Sequence, residues 1–176
     1  MANYTSHAIM SELLFNKLNK SNKFKVNIDK NSMKLFSLGQ DLTYFNKPCF
    51  NDTHSINSKK FFVNTIKYIY NNDLQYNKDV MAYLYGHIAH YCLDINIHPF
   101  INNIINNVNK ESILKPHTIV ECDMDKYLIN RYGNNYSYLN DKSIKNVKDI
   151  INHIYRNVYG YFNISNIYIN TIKFIK

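Results

Sequence analysis

The chain has 176 residues, 45% of them apolar, with 10 Phe and 16 Tyr: enough for one hydrophobic core, and short for several domains. Only 4 Gly and 3 Pro punctuate it, too few turn signals for a many-stranded sandwich, so an all-α fold is expected. The net charge of +8 is carried by Lys, with Arg only at Arg131 and Arg156, so forked phosphate contacts are nearly absent and the charge alone does not indicate nucleic acid.

In chain order, Ile9, Leu13, Leu14 and Leu18 predict a helix over 5–18, with Ser6 or Thr5 as its cap. Residues 19–31 read as a polar loop. Met33, Leu35, Phe36 and Leu38 predict a short helix stopped by Gly39, followed by an aromatic stretch and a loop around Pro48. An amphipathic helix is expected over 55–71. Residues 77–94 are apolar nearly all round and read as the central buried helix. Pro99 and Pro116 each suit the first turn of a new helix, over 99–109 and about 116–131. Two closing helices are expected over 142–159 and 164–175. Together these make a multi-helix bundle, expected as a single domain over 1–176.

The cysteines Cys49, Cys92 and Cys122 are odd in number and irregular in spacing, which argues against a disulfide framework and for a reducing compartment. Cys92 and Cys122 are expected as small buried residues beside polar positions. The first residues carry neither a basic stretch nor an apolar one of the signal-peptide kind, and no segment approaches the ~20 apolar residues of a membrane span. The expected location is cytoplasmic unless another export route serves.

Chemistry concentrates in four clusters. They are His7; Asp41 with His54; His90, Asp94 and His98; and His117 with Glu121. The i, i+4 spacings of His90/Asp94, Asp94/His98 and His117/Glu121 place imidazoles and carboxylates on shared helix faces, as zinc ligation requires. Burying such groups in an otherwise apolar helix costs several kcal/mol unless they are paired or bind metal. His87 shares the face of His90 and reads as a bystander or a support for a ligand. His153, on a late amphipathic helix, reads as structural or exposed.

In this order and spacing the clusters resemble the zinc-dependent phospholipase C family and the related S1/P1-type nucleases. The pattern is an early His, an Asp followed by a His, His-x-x-x-Asp with a further His, then His-x-x-x-Glu. His7, Asp41, His54, His90, Asp94, His98, His117 and Glu121 fill all eight positions. The resemblance implies an all-helical domain of the phospholipase C/P1 nuclease type with a trinuclear zinc site, two or three ions per chain. It assigns Asp41, His54 and His90 to one zinc and His98, His117 and Glu121 to a second. His7 and Asp94 go to a third, which the amine of Ala2 would complete after Met1 removal.

The implied chemistry is phosphodiester hydrolysis, with zinc ions roughly 3.5–4 Å apart clamping an in-line displacement. Asp41 is the implied general base. Asp52, Asp123 and Asp125 are expected to support the ligand imidazoles. The first functional reading is a phospholipase C acting on phospholipid head groups, with transient membrane-surface contact. Two alternatives stand beside it: a single-strand nuclease of the S1/P1 type, and a non-catalytic, metal-stabilised helical binding domain.

Overall fold

Apolar spacing at the helical period dictates the architecture. In the computed structural model, which describes residues 4–24, 26–55, 58–106, 116–133 and 136–176, nine α-helices and one 3-10 turn are joined without a strand among the described residues. The helices are α1 (Tyr4–Lys20), α2 (Lys30–Phe36), α3 (Lys47–Ser55), α4 (Ser58–Asn71), α5 (Lys78–Asn106), α6 (Pro116–Tyr132), α7 (Asp141–Asn146), α8 (Lys148–Tyr159) and α9 (Ile164–Ile175). The 3-10 turn, Gly39–Thr43, lies between α2 and α3.

The long helix α5 is the centre of the packing. α1, α2, α6 and the 3-10 turn lie against it, while α8 packs on α4 and α9. Met33, Leu35 and Phe36 of α2, Phe61 of α4, Tyr83 of α5, Tyr155 of α8 and Tyr168 of α9 are fully buried between them. The α2–α5 contact depends on Gly86. A Cβ there would stand 2.6 Å from Phe36 Cβ and 2.9 Å from the Met33 carbonyl, distances at which a neighbour must move.

Several element boundaries differ from the expectation. α5 does not stop before Pro99 but runs through it to Asn106; residues 107–109 of the expected new helix lie outside the described residues. Proline withholds the N–H that the carbonyl four residues earlier would accept. That residue, Ile95, is 51% exposed, so water can satisfy its carbonyl. The expected loop around Pro48 is α3: proline in the first turn forfeits no helical bond, and Asn46 Oδ1 accepts the Cys49 N–H at 3.2 Å.

The helix expected over 142–159 is two, broken at Val147, with Asn140 capping the first through the Ser143 N–H at 2.9 Å. The cap of α1 is also not its own Thr5 or Ser6. Asp125 of α6 supplies it, accepting the Ser6 N–H at 3.0 Å, the Ser6 hydroxyl at 2.6 Å and the Thr5 N–H at 3.3 Å. A carboxylate from a neighbouring helix thus closes the N-terminus of α1.

Candidate metal centre

All eight positions of the sequence pattern converge. α1 contributes His7, the 3-10 turn Asp41, α3 His54, α5 His90, Asp94 and His98, and α6 His117 and Glu121. On α5 the i, i+4, i+8 spacing of His90, Asp94 and His98 makes a polar stripe along one face. The bend Ser37-Leu38-Gly39 brings α2 and the 3-10 turn up to that stripe.

Two features of the bend fix His90. The Ser37 carbonyl accepts from His90 Nδ1 at 3.1 Å, while the Ser37 hydroxyl donates to the His7 carbonyl at 3.0 Å, so one residue holds two clusters in place. Gly39, at φ +54°, lies so close that a Cβ on it would be 2.3 Å from the His90 ring. Only glycine accepts both the left-handed backbone and the contact.

Around this frame the donor atoms fall into three groups, each with its ligand atoms within 4.8 Å of one another: His7, His90 and Asp94; Asp41, His54 and His90; and His98, His117 and Glu121. His90 therefore borders two groups. The Asp94 carboxylate lies 3.4 Å from His7 Nε2, 3.1 Å from His90 Nε2 and 3.7 Å from His98 Nε2, touching a member of every group. The His7 and His90 rings stack at 4.3 Å. His54 Nε2 lies 3.0 Å from Asp41 Oδ1, and His117 Nε2 lies 2.8 Å from Glu121 Oε1. The amine of Ala2, implied as a further ligand, lies outside the described residues.

Burial and polarity conflict here in a way a cation would resolve. His90 Nε2, Asp41 Oδ2 and one ring nitrogen of His7 are buried without a hydrogen-bond partner. His90 Nε2 is near Asp94, but without the alignment of a hydrogen bond. Such orphaned atoms are costly in a native interior. The tautomers point the same way. His90 Nδ1 gives its proton to the Ser37 carbonyl, and His54 Nδ1 gives its proton to the Phe50 carbonyl at 2.7 Å. Each ring then aims Nε2 at a carboxylate, where either a second proton or a metal ion must sit.

The charge state reflects that competition. Burial, with His90 alongside, pushes His7 down to about 4. Burial also opposes charge on His90 and His54, but the carboxylates of Asp94 and Asp41 outweigh it and raise both. Asp94 is drawn down to about 2: burial works against its charge, and the adjacent His90 prevails. Asp41 is lowered in the same manner by His54 and His90. Two carboxylates held ionised among imidazoles form a cluster whose chemistry suits a divalent cation.

The family model for zinc-dependent phospholipase C matches residues 6–168. The chain belongs to that family. Searches of curated proteins and of solved structures find no match. Zinc dependence and phosphoric ester hydrolysis are thereby attributes of this chain's family, and the residues gathered here fit the ion.

Other polar positions of this phospholipase C-type chain are accounted for separately. His87 is fully enclosed by Phe36, Phe61 and Tyr83; its Nδ1 donates to the Tyr83 carbonyl at 2.9 Å, and its Nε2 lies 3.4 Å from the Tyr168 hydroxyl. His153 is exposed and pairs with Asn157 at 2.7 Å. Cys49 is buried and Cys92 half-buried, but Cys122 is exposed rather than packed, because it follows Glu121 onto the outer face of α6. No cysteine joins a ligand group among the described residues.

The expected carboxylate supports work differently. Asp125 caps α1, Asp52 accepts the Tyr161 hydroxyl at 2.6 Å, and Asp123 is exposed. Backbone carbonyls orient His90 and His54 instead. Ser37 and Gly39 were not legible as site residues, since a glycine ending a helix carries no sign of the ring it will face. A cleft of about 450 Å³ beside α1, lined by Ala8, Glu12, Lys34 and Tyr138, lies on the face of that helix opposite His7 and takes no part in the cluster.

Proposed function

We propose that the eight side chains bind three zinc ions and that the protein is a phospholipase C, hydrolysing the phosphodiester that joins a phospholipid's glycerol to its head group. The observation that carries this reading is the set of buried, partnerless atoms, His90 Nε2 and Asp41 Oδ2, inside a converging imidazole and carboxylate cluster. Bound zinc supplies Lewis acidity that lowers the pKa of water and neutralises phosphodiester charge.

The chain's own residues do the rest. Asp41 keeps Oδ1 on His54, and its carboxylate, held ionised by His54 and His90, is the group that would orient the attacking water and take its proton. Ser37, Gly39 and the Phe50 carbonyl hold the imidazoles, so little reorganises during reaction. Water attacks phosphorus in line and the bond to the glycerol oxygen breaks, leaving diacylglycerol and a phosphorylated head group. The site is graded from inside to outside: His7 and His90 are buried, whereas the His54 and His98 side chains are 30% and 42% exposed. Tyr91 and Ile95, which flank Asp94 on α5, are exposed and support contact with a lipid surface. Among the described residues no helix is long and apolar enough to cross a membrane.

The test is turnover of a short-chain phospholipid by zinc-loaded protein, abolished by chelation and restored by zinc. Single-stranded nucleic acid is the control substrate. Cleavage of it with no phospholipid turnover would move the reading to the nuclease branch.

A further inference from the structure

α3 places Lys47, Phe50 and His54 at i, i+3 and i+7, along one face leading to the metal centre. Lys47 Nζ stands 3.9 Å from the centroid of the Tyr44 ring and 5.4 Å from that of Phe50. Those two rings meet edge to face at 6.1 Å and 85°, forming the walls of a corner. Phe50 in turn lies 4.2 Å from the His54 ring. Among the described residues this is the shortest cation–ring contact and the one in which a single cation faces two rings. Ion pairs to carboxylates are made by Lys30, Lys34 and Lys145, whereas the Lys47 ammonium lies over ring faces and joins no such pair among the described residues.

We infer that the Tyr44–Phe50 corner is a cation-binding subsite at the mouth of the metal centre, filled by the chain's own Lys47. The protein thereby discriminates against ligands bearing an ammonium group and favours those with further negative charge. The physical basis is competition for one place. A ring corner attracts a cation through its negative π faces, and a second cation meets both an occupied corner and like-charge repulsion. Seven residues of helix separate Lys47 from His54 by about 10 Å, so a phosphodiester held at the cluster would reach the corner with its head group. The occupancy stands on contacts alone; its consequence for substrates rests on the phospholipase reading.

Two measurements on zinc-loaded protein decide it. Saturation-transfer NMR with tetramethylammonium as probe should give no transfer with the wild-type chain, clear transfer with Lys47→Ala, and loss again in Lys47→Ala/Tyr44→Ala. Equal transfer for wild type and Lys47→Ala, or none for either, overturns the inference. In the second, kcat/KM is compared for short-chain phosphatidylglycerol and phosphatidylcholine. Wild type should favour the anionic lipid, and Lys47→Glu should shift the ratio about tenfold toward choline. An unchanged ratio in an active enzyme overturns the substrate preference. Absence of turnover on both lipids overturns the phospholipase reading instead, and the NMR result still decides the corner.

Discussion

His87 and His90 sit one turn apart on the same face of α5, both buried, and they meet opposite environments. Around His87, Phe36, Phe61 and Tyr83 close an aromatic slot, and both ring nitrogens have polar neighbours, the Tyr83 carbonyl and the Tyr168 hydroxyl. Around His90, Asp41, Asp94, His7 and His54 crowd in, and Nε2 is left without a hydrogen bond. Burial pushes His87 down to about 3, while the carboxylates raise His90 despite its burial. A histidine in a helix core is thus defined by what the neighbouring helices bring to it. Apolar rings make a neutral core residue; carboxylates with unmet lone pairs make a candidate ligand.

The sharpest way to break that contrast is to delete each ring. His90→Ala should weaken zinc binding in both inner groups, which share that ring, and lower turnover by at least about 100-fold. Loss of a direct ligand should exceed the 10–100-fold typical of outer partners. His87→Phe should keep the zinc content of the wild-type chain. Elemental analysis beside lipid turnover checks both, and equal zinc loss in the two variants would erase the distinction.

A second, smaller effect tests how His90 is held. Gly39→Ala forces a Cβ toward the His90 ring and strains a backbone at φ +54°. Denaturant unfolding should show a loss of about 1–3 kcal/mol, accompanied by weaker zinc binding. Unchanged affinity would mean that the ring is free to move aside.

Next comes Asp125→Ala, which uncaps α1 two residues before His7. Its expected cost is about 0.5–2 kcal/mol in thermal or denaturant unfolding. Zinc affinity should weaken in the group containing His7 and not in that of His98, His117 and Glu121.

The smallest effect is a pH slope. His87 has a folded value below its unfolded one, so the unfolded chain binds the extra proton. Its contribution is fully present above about pH 6.5 and is lost as pH falls toward about 3. Zinc-free wild type should lose up to about 1.4 kcal/mol per pH unit more than His87→Phe across that interval. Parallel acid-unfolding curves would show that His87 is not held neutral.

Much of this was legible in the residues, and the limits are physical. The all-helical fold follows from scarce turn residues and 3.6-residue spacing, and the eight ordered positions pointed to the family that the comparison then identified. Spacing could not separate His87 from His90, because both lie on one stripe and the difference comes from α2, α4 and α9. It overstated Pro99 as a boundary, because an exposed carbonyl tolerates the missing donor. It read Pro48 as loop, where proline in a first turn starts a helix. It could not foresee that the cap of α1 comes from Asp125, 119 residues from Ser6. Nor could it show the Lys47 corner, in which one turn of α3 meets the residue ending the 3-10 segment.

The central claim is that the orphaned buried atoms around His90 exist to hold metal. Elemental analysis of purified wild-type protein, with Asp94→Asn and His117→Ala as controls, tests it most directly. The account predicts three zinc ions per chain in the wild type. It predicts fewer in each variant, with His117→Ala losing the outer ion and retaining the inner ones. A wild-type chain that carries no zinc after incubation with excess metal would contradict it.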